Sequence, residues 1–371
     1  MPAVTATGRT AAWAATLAAT VLLYSSGAAF ADEVPAPTTP SQPSEKPTGD
    51  SSGRTLLASV SQSRIQVSHP DGRTEQGSMD ELTSVDPNWE PPVCWYEPVF
   101  TPQGLKSAVE NLQKNGGLGA VNAHEWWTSG IFVDHYDEGE AEDNFDLKSP
   151  TNSTAEGYKN YNVGKSGMFW RSVVRKGHEN DIKAWDCGRI MFWQDASTIP
   201  DDEHAPTPET LAAYAYDKIE VPKTKVELKP EARSTVNLPT WVWLDKGTFK
   251  DVKVRAELPG TGLWAETTAK PVALHLDPGT KDAETFPASG DCEVNEDGSI
   301  GSPYVKGDAD KTPPCGIRYL RADSGAPYQL KASITWQISW DGTGGASGDL
   351  PDGTFQTTQS MNVQEIQSVN R

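Results

Sequence analysis

Between Tyr328 and Asp341 the chain reads YQLKASITWQISWD. Apolar side chains fall on every second position: Tyr328, Leu330, Ala332, Ile334, Trp336, Ile338 and Trp340. The intervening Gln329, Lys331, Ser333, Thr335, Gln337 and Ser339 are polar. Period-two alternation describes a strand with one face in a core and the other in water. At roughly 3.3 Å per residue it runs about 40 Å, which demands long partners. Further strands are expected at 225–228, 236–244, 252–258, 272–276 and 355–369, with Gly-, Pro- and Asp-rich stretches between them. Six or seven strands so punctuated read as an antiparallel β-sandwich over 223–371. Within it, 342–353 is expected to join the last two strands as a hairpin, and 277–314 is a long polar insertion.

The other end of the chain reads differently. Residues 1–31 hold one charge, Arg9, a short apolar run from Ala11 to Leu23, and Ala29-Phe30-Ala31 before Asp32. That is the pattern of a secretory signal, too short and wrongly flanked to span a membrane. Residues 32–53, rich in Pro, Ser and Thr, read as a disordered tether, and 54–89 as a weakly structured segment with one candidate strand at 64–68. Secretion is therefore expected, to the outside of the cell or its envelope, with no membrane insertion. A net charge of −19 argues against nucleic acid and anionic membranes as partners.

Residues 90–222 read as a small α+β domain. Leu105, Ala108, Val109 and Leu112 share a helical face behind Thr101-Pro102, and Leu211, Ala215 and Ile219 share another behind Thr207-Pro208. Strands are expected at 168–175 and 185–193. In an exported chain the four cysteines point to two disulfides, with three possible connectivities. Cys94 with Cys187 and Cys292 with Cys315 is the pairing that keeps each bond inside one proposed domain. The fold class is thus mainly β with α+β, a C-terminal sandwich preceded by a disulfide-containing α+β domain.

CWYEPVFTP (94–102), AYDKIEVPKTKVEL (215–228), VNLPTWVWLD (236–245) and TTQSMNVQEIQS (357–368) resemble a group of secreted actinobacterial proteins of the Streptomyces type. The resemblance covers about 90–371 and implies location rather than activity. Members carry labels such as enoyl reductase or ATP/GTP-binding protein. Separately, Gly325 to Trp336 resembles a late strand of immunoglobulin-like or PKD-like modules, which makes the expected sandwich immunoglobulin-like.

The residues do not support those labels. A nicotinamide enzyme needs G-x-G-x-x-G between a strand and a helix, and no such run exists. Gly164-Lys165-Ser166 ends like a phosphate-binding loop, but Lys159 stands where its first glycine belongs. Leu258-Pro259-Gly260-Thr261-Gly262 spells a sortase signal far from any C-terminal apolar tail and reads as a tight turn. His124-Glu125 and His178-Glu179 open like zinc-binding H-E-x-x-H, but Thr128 and Ile182 replace the second histidine. No G-x-S-x-G nucleophile elbow is present.

Two features remain. From Asp134 to Asp146 there are seven carboxylates, among them Asp134, Asp137 and Glu138, a candidate for weak calcium binding or simply a solvated acidic loop. Seven of the thirteen tryptophans lie between Trp89 and Trp193. Indole offers a flat apolar face with one donor, suited to sugar rings and protein interfaces. The adjacent pair Trp126 and Trp127 is the candidate ligand contact, since neighbours on a strand face opposite ways. Trp241 and Trp243 share a face and are expected in the core. The expected function is a secreted, non-catalytic binding or assembly protein at the cell envelope, taking an extracellular glycan or envelope protein and no cofactor. The alternatives are an extracellular hydrolase of glycans or peptides, with a site among His124, Glu125, Asp134 and His135, and a surface accessory of a secretion or transfer apparatus.

Overall fold

The computed structural model describes residues 63–70, 79–114, 133–143, 154–222, 226–244 and 250–366. The expected signal and tether lie outside them. The described chain is mainly β, and its strand pairings are antiparallel except for one.

A three-stranded sheet runs β1 (Cys94–Phe100), β2 (Gly167–Val174), β3 (Phe192–Asp195). Every residue of β1 is buried, because three separate apolar clusters meet on it. Cys94 and Tyr96 join Trp170, Cys187 and Phe192. Val99 and Phe100 lie against the first helix, α1 (Pro102–Lys114), where Leu105 and Val109 are fully buried as their spacing predicts. Thr101 caps that helix by accepting from the Gly104 amide at 3.1 Å. Trp95 enters the main core, its ring edge-on to Tyr214 at 5.7 Å. Cys94 is bonded to Cys187, and Cys292 to Cys315.

Glu97, on the Trp95 face of β1, is completely buried. Its Oε1 accepts from Ser63 Oγ and Trp95 Nε1, each at 2.6 Å, and its Oε2 accepts from the Arg64 amide at 2.6 Å. The Arg64 guanidinium donates to the Pro98 carbonyl. This carboxylate ties the incoming chain to β1, and the strand Gln66–Ser68 that follows pairs with Val252–Leu258. Burial holds the Glu97 carboxyl above its usual range, against the opposing pull of its three donors and the Arg64 charge.

The large sheet is built on β5 (Val252–Leu258), β6 (Leu263–Asp277), β8 (Tyr328–Gly342) and β9 (Ser347–Gln364); a second sheet is built on β4 (Pro239–Leu244) and β7 (Gly316–Tyr319). In the large sheet the order is 66–68, β5, β6, β8, β9, 233–235, with 291–293 added to β6 and 83–84 to β9. In the second it is 227–229, β4, β7, 283–286, with 300–301 added to β4. β8 follows its alternation: Leu330, Ala332, Ile334, Trp336 and Ile338 are buried, while Gln329, Lys331 and Gln337 face water. Its partners are long, as its length demands. β6 pairs from Ala265 to Asp277 and β9 from Ser347 to Met361.

β6 starts nine residues before the expected strand at 272. Its first inward side chains are Ala265, Thr267 and Ala269, which carry little apolar signal. They are small because the second helix, α2 (Pro208–Tyr216), lies on them, and Thr267 Oγ1 donates to the Ala212 carbonyl at 2.9 Å. A bulge between Pro271 and Ala273 then shifts the phase, so that Leu274 and Leu276 also point inward. Thr207 caps α2, as expected, by accepting from the Thr210 amide. One core holds Leu211, Ala212 and Ala215 of α2, Leu274, Leu276, Leu330 and Ile334 of the large sheet, and Val242, Leu244, Ile317 and Tyr319 of the second.

The β8–β9 turn occupies only 343–346 rather than the whole of 342–353. Gly348 lies in β9 opposite Trp340, where a Cβ would come within 3.1 Å of the indole nitrogen. Leu258 to Gly262 is the β5–β6 turn. Thr261 Oγ1 donates to the Leu258 carbonyl and accepts from the Leu263 amide, and Gly260 takes a φ of +86°.

Candidate functional site

Trp126, Trp127, His124 and Glu125 lie outside the described residues. Asp134 and His135 sit on a single helical turn, and Asp137 and Glu138 close it, their amides donating to the Val133 carbonyl at 2.9 and 3.0 Å. Asp134 and Asp137 are half-buried and Glu138 is exposed. Of the other acids in that run, Asp146 lies outside the described residues. Among the described residues, the trio of His, Cys, Asp or Glu whose ligand atoms lie within 4.8 Å of one another is Cys94, Cys187 and His204, with both cysteines in a disulfide.

His135 is sealed from solvent. Its Nδ1 lies 2.8 Å from the Glu140 carbonyl, which can only accept, so Nδ1 carries the proton. Tyr136 and Tyr158 meet the imidazole edge-on at 4.5 and 5.4 Å. Burial lowers its pKa, offset in part by the Glu140 carbonyl. The ring is therefore neutral and closes a turn in an aromatic cluster. Stability is expected to fall as pH drops below about 6.5, the ordinary imidazole value. In that range the unfolded chain takes up a proton that folded His135 refuses, down to its lowered folded value. The urea midpoint should fall between pH 7 and pH 5 in the wild type and fall less in His135→Gln. Equal falls would assign the proton uptake elsewhere.

Beside this cluster the backbone turns left-handed for three residues: Asn160, Tyr161 and Asn162 have φ of 46°, 53° and 52°. Asn tolerates that region; Tyr does not. The turn is tied to α1 through Lys106 Nζ, which donates to Asn160 Oδ1 at 2.9 Å. It buries Tyr161, whose hydroxyl is pushed up to about 12, chiefly by burial and then by the charges of Asp137 and Glu110.

A further opening lies at the edge of the second sheet. A cleft of about 560 Å³ is lined by Leu228, Lys229, Glu231, Trp243, Tyr304 and Gln359, among others. Its position follows from the phase of β4. Val242 and Leu244 enter the common core, so Trp241 and Trp243 face the other way. The two indoles share a face, as expected, but it is the outer one. Tyr304, from the 277–314 insertion, covers Trp241 with its ring edge-on at 6.0 Å, which leaves Trp241 buried and Trp243 half-exposed over the cleft. Gln359 comes from β9, opposite Leu330, and its Oε1 is buried without a hydrogen-bond partner. The cleft thus offers a flat indole face, a phenol ring, Glu227 and Glu231 as acceptors and Lys229 as donor. No family model, curated protein or solved structure matches the chain.

Proposed function

We propose that the chain is an exported, non-catalytic binding protein of the cell envelope, an immunoglobulin-like sandwich whose outer cleft receives a glycan. The observation that carries this reading is the Trp243–Tyr304–Gln359 cleft. An indole face stacks on the C–H face of a sugar ring, and the Glu227 and Glu231 carboxylates are acceptors for its hydroxyls. Two disulfides suit an oxidising compartment, and among the described residues no helix is long and apolar enough to cross a membrane.

The test is co-sedimentation with purified cell walls and insoluble polysaccharides, followed by titration of soluble fragments read by Trp fluorescence. Saturable binding is expected, with Trp243→Ala weakening it by about 30-fold, the scale of one aromatic anchor. Binding that is untouched by Trp243→Ala but lost in Trp126→Ala/Trp127→Ala would move the contact to that pair. No binding to any wall or glycan would end the glycan reading and turn the search to envelope proteins.

A further inference from the structure

We propose that the Cys94–Cys187 pair, once reduced, forms with His204 a binding site for a thiophilic divalent cation such as Zn²⁺. Three elements bring the ligands together. β1 carries Cys94, the 3-10 turn Ile182–Cys187 ends in Cys187, and the loop before α2 carries His204. That loop is pinned to β1, because the Tyr96 amide donates to the His204 carbonyl at 3.1 Å. The His204 amide in turn donates to Asp202 Oδ1 at 3.0 Å, and the Tyr96 ring lies edge-on to the imidazole at 6.4 Å. His204 is therefore placed by its backbone and does not have to swing in.

The distances suit the chemistry. One ligand atom from each of the three residues lies within 4.8 Å of the others. In a tetrahedral zinc site, bonds of about 2.3 Å to sulfur and 2.0–2.1 Å to nitrogen put the ligand atoms roughly 3.5–3.8 Å apart. The disulfide now holds its sulfurs closer than that, and cleaving it lets them part to that spacing with the imidazole already beside them. Both cysteines are buried, while the His204 side chain is 19% exposed, so the cation enters from the histidine side. The Asp202 carboxylate lies beside the ring and offers a negative charge next to the site. Its Oδ1 lies 3.6 Å from His204 Nδ1, and its Oδ2 accepts from Arg189 at 3.2 Å.

Reduction is a two-electron exchange. A dithiol donor gives up two electrons and two protons, becomes a disulfide, and leaves Cys94 and Cys187 as thiols. Each thiol then loses its proton to solvent as it binds the cation, and water fills the fourth position. Oxidised, β1 and the 182–187 turn are joined by a covalent bond; reduced, by a metal.

The experiment is a Co²⁺ titration of the full chain, oxidised and then reduced, desalted and kept anaerobic. The oxidised protein should give no thiolate-to-cobalt charge-transfer band. The reduced protein should give one at a single equivalent, displaced by Zn²⁺. Cys94→Ser/Cys187→Ser should abolish the band even with Cys292 and Cys315 reduced, and His204→Ala should weaken Co²⁺ binding at least 10-fold. No band from the reduced wild type would overturn the proposal. So would a band that survives in the double serine variant, or an affinity indifferent to His204→Ala. A reduced chain that loses its near-ultraviolet dichroism and does not regain it on adding Co²⁺ would overturn it too.

Discussion

Glu97→Ala is expected to lose about 3 kcal/mol of stability, although the residue touches no cleft. The change removes the acceptor of three hydrogen bonds at once. Trp95 Nε1 is left as a buried donor without a partner, at a cost of about 1–3 kcal/mol, and the part-buried Arg64 amide loses its acceptor as well. The loss of a desolvated carboxylate offsets part of this. The offset depends on pH. Because the folded carboxyl titrates above its unfolded value, the folded protein binds the proton more tightly and wild-type stability falls as pH rises through that window. The gap between wild type and Glu97→Ala should therefore be widest below about pH 4.3, the unfolded glutamate value, and narrow above it. Urea melts at several pH values read both quantities. A loss under about 1 kcal/mol at every pH would mean that Ser63 and Arg64 are held by something other than this carboxylate. Hydrogen exchange gives an independent reading, since the amides of 66–68 should lose protection first.

The second large effect is at Trp336. Its indole is 1% exposed and is among the largest fully buried side chains described. In register it stands between Pro271 of β6 and Gly353 of β9, and each neighbouring pairing shifts by a bulge immediately beyond it. Small neighbours and a locally twisted sheet make the room that the ring fills. Trp336→Ala empties a site that two bulged strands cannot close over, so a cost at the upper end of the usual 3–5 kcal/mol is expected. Trp336→Phe should recover more than half of it. Should the alanine variant lose less than about 2 kcal/mol, the sheet collapses into the gap, and the bulges are compliant rather than fixed.

β8 was readable because one of its faces is buried along nearly its whole length, so every second residue had to be apolar. The first half of β6 obeys the same period but faces a helix at close range. Ala265, Thr267 and Ala269 are chosen for size, and alternation of size leaves no trace in hydropathy. The helices were legible through their caps, Thr101 and Thr207. Trp241 and Trp243 show the limit of a face argument: the period says that two residues point the same way, but not which way. Nothing within CWYEPVF marks Glu97 out, since its partner Ser63 is 34 residues upstream. The cleft joins residues from 226 to 359, and the Cys94–Cys187–His204 group spans 110 positions, so neither has a local signature. His135 could be singled out as chemistry, but its enclosure by Tyr136 and Tyr158 could not.

The bond between Cys94 and Cys187 closes a ring over a sequence separation of 93 that contains α1, the acidic turn, the left-handed turn and β2. A cut anywhere on that ring does not part the molecule. Both ends of the break stay attached, one through Cys94 to the incoming chain and the other through Cys187 to everything that follows. The ring can thus be opened by a protease while the large sheet, its helix and the outer cleft travel on with every covalent connection they had before. Exposed surface on the ring is in this sense expendable: a single cut there leaves the two ends of the protein in one piece.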